Sequence, residues 1–157
     1  KCTFNRKFCA CEILGTNLDA QKTCAGIEVN MERETKFFRC NHCGNIVTFF
    51  HESGAPLSCC GDKMNELIAN TTEAATEKHL PVVERDGDTV TVCVGSVEHP
   101  MTEEHYIQWI YLETTKGLQA RFLQPGEKPK AVFVLSDEEP VAAYEYCNLH
   151  GLWKTEL

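Results

Sequence analysis

The most constraining feature of this chain is a run of four cysteines, Cys40-X-X-Cys43 followed after fifteen residues by the adjacent pair Cys59-Cys60. The text around them, "TKFFRCNHCGNIVTFFHESGAPLSCCGDKMNEL", alternates short aromatic or β-branched runs with glycine turns. A segment of about forty residues with so few apolar side chains needs a staple to fold. Four thiolates at this spacing close a tetrahedron around one metal ion, with Gly44 and Gly61 letting the backbone turn beneath the sulfurs. Disulfides are the alternative, and the vicinal pair argues against them because adjacent cysteines bridge only with strain. Ligand count alone does not choose between zinc and iron, since both accept four thiolates. An adjacent pair in place of a second CxxC is, however, unusual for a zinc ribbon. His42 and His51, close by, read as surface histidines.

The rest of the composition sets limits. With 157 residues, 43% of them hydrophobic, the chain is long enough for one domain or for a small domain beside a larger one. Ten cysteines suit a secreted disulfide scaffold only in a short chain with a signal peptide, and no such signal pattern opens this one. A reducing cytoplasm is therefore the expected location. There is no apolar run of about 18 residues or more, so no membrane span is expected. The formal net charge is -8, and residues 71–157, with 7 basic and 15 acidic groups, hold the equivalent of the whole deficit. That balance argues against nucleic acid and anionic lipid as partners. Residues 1–30 show no clear period. They read as an N-terminal extension of unknown role despite Cys2, Cys9, Cys11 and Cys24, and Met31 reads as a natural start for the cysteine-bearing segment.

The chain thus divides into three segments: the extension 1–30, a small metal domain 31–69 and a larger domain 70–157. The larger one opens on a polar stretch, "NTTEAATE" (70–77), that reads as a linker. Then come "TVTVCVG" (89–95), "YIQWIYLET" (106–114), "LQARFLQ" (118–124), "KAVFVLS" (130–136) and "VAAYEYC" (141–147), separated by Gly and Pro breaks. The first of these alternates, and runs at such short, regular spacing predict an antiparallel β-sandwich or barrel. Cys93 falls within one strand and reads as a half-buried free thiol.

Four histidines punctuate the loops of this β domain: His79, His99, His105 and His150. The last belongs to "YCNLHGLW" (146–153), where Cys147 precedes it by three positions, a spacing that lets one tight turn offer two ligands to a single ion. If all five residues bind one ion, their number discriminates between metals. Structural zinc takes four ligands and blue copper two histidines with a cysteine. Five fixed ligands leave one octahedral position open, which suits iron and implies chemistry rather than scaffolding.

The ordered set CxxC, CC, EKH, HPMxxxHYI and CNLHGLW resembles desulfoferrodoxin, the two-iron class of superoxide reductase, over residues 34–157. The resemblance implies an all-β chain: a small desulforedoxin-like metal domain followed by an immunoglobulin-like antiparallel β-sandwich. It implies that Cys40, Cys43, Cys59 and Cys60 hold one iron, and that His79, His99, His105 and His150 hold a second equatorially with Cys147 axial. The implied reaction is one-electron reduction of superoxide to hydrogen peroxide, with Lys78 attracting the anion and Glu77 capping the oxidised iron once product has left. Reduced rubredoxin is the implied donor, and a cytoplasmic homodimer the implied assembly. Two other readings stand beside it. One is a non-enzymatic iron electron carrier; the other is a zinc-stabilised β-sandwich interaction module.

Overall fold

The computed structural model describes residues 35–157, so the extension 1–30 and its four cysteines lie outside the described residues. The first part is built from very short strands: β1 (Phe37–Arg39), β2 (Ile46–Thr48), β3 (Ser58–Cys59), β4 (Asp62–Lys63) and β5 (Asn65–Leu67). They form a three-stranded antiparallel sheet in the order β2-β1-β5 and a separate β3-β4 ribbon.

A single helical turn, α1 (Thr76–His79), leads into seven longer strands: β6 (Pro81–Asp86), β7 (Thr89–Val94), β8 (Ile107–Thr114), β9 (Leu118–Phe122), β10 (Lys130–Val134), β11 (Pro140–Cys147) and β12 (Gly151–Glu156). Two antiparallel sheets result, β10-β7-β6 and β12-β11-β8-β9. Between them Val90, Val92, Val94, Ile107, Ile110, Leu112, Phe133 and Ala143 form a closed core, so the predicted sandwich is the observed fold. Strands 89–95, 106–114, 118–124, 130–136 and 141–147 appear within a residue or two of their expected bounds. β6 and β12 were not expected. β6 begins on a proline and carries three charges in six residues, and β12 comes directly after the CNLH turn.

Strands β8 and β11 are buried on both faces over most of their length, from Ile110 to Thr114 and from Ala142 to Cys147. On β11, Ala143, Glu145 and Cys147 point into the sandwich, while Ala142, Tyr144 and Tyr146 point outward. That outer face is not left to water. Phe37 lies against Trp109, Tyr111 and Tyr144 with ring centroids 5.0, 5.2 and 5.4 Å away, and Ile46 and Leu67 complete a second core. Aromatic contacts in such offset and edge geometries add to the area they bury. The polar stretch after β5 is tied down as well: Asn70 exchanges hydrogen bonds with the backbone of Lys154 at 2.9 and 3.0 Å, as a strand neighbour would. Among the described residues no helix is long and apolar enough to cross a membrane.

Candidate metal centres

The CxxC turn folds because Gly44, at φ +77, donates its N–H to Cys40 O at 3.0 Å and brings Cys43 back over Cys40. The β3-β4 ribbon delivers Cys59 and Cys60 from the other side, with Cys60 itself held in a left-handed conformation at φ +53. The four ligand atoms lie within 4.8 Å of one another, and none is in a disulfide. Cys43 Sγ is 3.6 Å from Cys59 Sγ, which is 3.8 Å from Cys60 Sγ. A tetrahedron with metal–sulfur bonds of about 2.3 Å has edges of about 3.8 Å, so the four cysteines fit one metal ion.

Their acidities give the same answer. The backbone N–H of Cys43 draws Cys40 down to about 6, whereas hydrogen bonding among the crowded sulfurs drives Cys60 up to about 12. Without a cation these thiols cannot all ionise together; a metal removes the conflict. His42 and His51 are exposed, as expected, and His42 Nε2 pairs with Asp62 Oδ2 at 2.6 Å beside the knuckle.

The second group converges at one end of the sandwich. His79 comes from α1, His99 and His105 from the β7–β8 connection, Cys147 from the end of β11, and His150 from the turn into β12. Their five ligand atoms also lie within 4.8 Å of one another, and Cys147, His79 and His99 are almost wholly buried. Gly95, at φ +79, makes this possible. A Cβ there would stand 2.5 to 2.8 Å from the carbonyl oxygens of Val97, Lys78 and Glu77, so only glycine lets β7 end against the turn that carries His79.

The tautomers can be read from the partners. His79 Nδ1 faces Ala75 O at 2.9 Å and His99 Nδ1 faces Pro100 O at 2.6 Å. A carbonyl only accepts, so both Nδ1 atoms carry the proton. Burial lowers both pKa values, His99 to about 4, which keeps the rings neutral and leaves a lone pair on each Nε2. Those two lone pairs face each other across 3.2 Å, and no hydrogen bond joins two acceptors. His150 Nδ1 completes the convergence, 3.0 Å from His79 Nε2 and 3.6 Å from Cys147 Sγ. His105 Nε2 is buried with no partner among the described residues. A buried array of facing lone pairs beside a thiol is what a metal ion satisfies and protein groups do not.

Burial raises the pKa of Cys147, while the backbone N–H groups of Leu149 and His150 offset it by donating toward the sulfur. Lys78 and Glu77 are exposed on α1 next to His79. Burial lowers the pKa of His79 and His105, and the charge of Lys78 adds a little to both.

Two further side chains stand beside this cluster, Trp153 at the end of the CNLHGLW motif and Glu145, which its sequence context did not single out. Trp153 stacks on His79 with centroids 4.8 Å apart and planes at 24°. Glu145 is 0% exposed on the core face of β11, both carboxylate oxygens lack partners among the described residues, and burial raises its pKa well above the usual range. The signal was in the alternation: in "VAAYEYC" the one acidic residue shares a face with Ala143 and Cys147.

The family model described as "Desulfoferrodoxin" matches residues 71–156, and that described as "Desulfoferrodoxin, N-terminal domain" matches residues 32–67. A desulfoferrodoxin of Syntrophotalea carbinolica is 48% identical over 126 residues, covering 80% of this chain and 99% of that protein. One from Nitratidesulfovibrio vulgaris is 44% identical over 126 residues, with the same coverage. The crystal structure of the superoxide reductase from Treponema pallidum is similar with a TM-score of 0.68 at 41% identity, covering 79% of this chain and all of that one.

Proposed function

This chain belongs to the desulfoferrodoxin family, whose members carry two iron centres, and from that premise we propose that it is a superoxide reductase. The observation that carries the proposal is the facing lone pairs of His79 and His99, joined by His150 Nδ1, the unpartnered His105 Nε2 and the Cys147 thiol in one buried cluster. In this reading those five residues hold the catalytic iron, and Cys40, Cys43, Cys59 and Cys60 hold the other. A ferrous ion held by these five residues would supply the single electron for the substrate anion.

The protein's own groups do the rest. The N–H groups of Leu149 and His150 stabilise the Cys147 thiolate and limit how much charge it donates. Ala75 O and Pro100 O hold two imidazoles in the ligating tautomer. Lys78, exposed and in no ion pair among the described residues, draws superoxide toward the centre through its charge. Glu77, exposed on the same turn, would offer a carboxylate to the iron held there. Solvent supplies the two protons of the product. Reduced rubredoxin is the proposed donor, and a cytoplasmic homodimer the proposed form.

The test combines metal analysis with pulse radiolysis of the reduced protein. Two irons per chain and a fast second-order reaction with superoxide are expected. A colourless protein holding only zinc, or an iron protein inert to superoxide, would overturn the proposal.

A further inference from the structure

His105 is less firmly aimed than His79 and His99. His79 and His99 are each aimed by a carbonyl on Nδ1, whereas no side-chain hydrogen bond restrains the His105 ring among the described residues. Its aim therefore depends on its backbone. Within its own loop the tether is Thr102, whose N–H donates to His105 O at 2.9 Å and whose hydroxyl accepts from His105 N at 3.2 Å. That turn fixes the shape of the loop but not its place relative to the other ligands.

Placement comes from Asn148. Its Oδ1 accepts the N–H of Tyr106 at 3.0 Å and its Nδ2 donates to Glu104 O at 2.9 Å, so one amide grips the residues on either side of His105. The backbone N–H of Asn148 adds a third bond, to Tyr106 O at 3.2 Å. The β11-β8 ladder ends at Cys147↔Ile107 after a register shift, so Asn148 continues the pairing beyond the point where regular strands stop. Asn148 is also the residue directly after Cys147, in the turn that ends at His150. An amide suits this task because it donates and accepts at once in a fixed plane.

We infer that Asn148 is a positioning residue of the His4Cys centre, its side-chain amide locking the loop that bears His105 to the turn that bears Cys147 and His150. The inference rests on the reading of this cluster as an iron site. It does not depend on superoxide as the substrate.

The test is iron retention in the full-length holoprotein. Reduced protein is challenged with a ferrous chelator, and the iron left in this centre is read after reoxidation from its thiolate-to-iron charge-transfer band. Losing a group that orients a ligand typically costs 10- to 100-fold in metal affinity, so Asn148→Ala should lose this iron about 10 to 100 times more readily than wild type. Asn148→Asp keeps the acceptor for Tyr106 N–H and loses the donor to Glu104 O, and should fall between the two. A double-mutant cycle separates positioning from general damage. In a His105→Ala background, Asn148→Ala should add less than about a twofold change, because its role is exercised through His105. Wild-type iron retention in Asn148→Ala, or an equal loss with and without His105, would overturn the inference. Should Asn148→Ala not fold, the same cycle is run with Asn148→Asp, and the same two outcomes decide.

Discussion

The two ligand clusters differ in what stands behind their donor atoms. Around Cys40, Cys43, Cys59 and Cys60 there are strands of two or three residues, and Cys43 and Cys60 are exposed. Around His79, His99, His105, Cys147 and His150 there are two sheets, a closed apolar core and carbonyls that set the tautomers. In the knuckle hydrogen bonding among the crowded sulfurs pushes one thiol up to about 12, a conflict that a bound metal relieves. In the sandwich two sheets and a closed core carry the elements that bring the imidazoles together. The first site has little but its own ligands to hold it, and the second has the fold around it.

Cys147→Ser is the most severe way to break this contrast. It exchanges a thiolate for a hydroxyl in a fully buried place, with little change of volume. The sandwich should keep its fold, because Cys147 is one of twelve buried residues of its core and the other eleven are untouched. Superoxide reduction should fall by more than about 100-fold, beyond the loss expected from a supporting residue, and the charge-transfer band should vanish. A variant that keeps both would remove Cys147 from the ligand set.

Cys40→Ser addresses the other side. The first iron should be lost, and amides of residues 35–69 should exchange hydrogen far faster, since structural metal binding in such small units is itself folding free energy. The reaction of the second centre with superoxide should change by less than about twofold if the two sites are built independently. Phe37, packed on Trp109 and Tyr111, is where that independence is most exposed to failure. Hydrogen exchange that spreads into β8 and β11 would show that the aromatic core couples the two regions.

Much of this contrast was legible in the residues alone. The knuckle announced itself because a metal that builds its own site needs its ligands close in sequence. Of the five expected sandwich strands, "TVTVCVG" was visible in its period-2 alternation and the other four in short runs at regular intervals between Gly and Pro breaks. The strands β6 and β12 were hidden because "PVVERD" and "GLWKTE" lack that pattern: their partners in the sheets, not their own alternation, hold them. The convergence of His79, His99, His105 and His150 was an expectation from loop positions, and no local pattern states that His79 Nε2 and His99 Nε2 stand 3.2 Å apart. Asn148 and Glu145 matter through neighbours about forty and thirty residues away in sequence, Tyr106 and Ile110, which sequence periodicity does not reveal.

Acidity should also tell the regions apart. In the metal-free protein, burial lowers the pKa of His79, His99 and His105 below the ordinary 6.5, His99 to about 4. On acidification the unfolded chain therefore takes up protons first. The histidine contribution to stability is complete above pH 6.5 and is lost as pH falls from there toward 4. Glu145 acts in the opposite sense: its raised pKa makes ionisation destabilising as pH climbs above 4.5. Urea unfolding of metal-free Glu145→Gln removes that opposing group, and its midpoint should drop steadily from pH 7 to pH 4.5. A flat midpoint would mean that the pocket opens to water when empty.

The smallest expected effect concerns Lys78, and it tests whether the prepared site extends to its approaches. Residues 71–157 carry 7 basic and 15 acidic groups, a field that repels an anion. At about 6 Å and an effective dielectric near 20, a cation and an anion attract by roughly 3 kcal/mol. Water and salt at an exposed helical turn reduce that, so Lys78→Ala should slow the second-order reaction by about tenfold, equivalent to about 1.4 kcal/mol, and Lys78→Glu by more. Rising ionic strength should slow the wild type and leave the alanine variant nearly flat. Lys63, an exposed cation on the knuckle, is the control, and Lys63→Ala should leave the rate constant unchanged. Equal effects at the two lysines in pulse radiolysis would show that the anion responds to overall charge, and that the sandwich prepares its ligands without preparing a path to them.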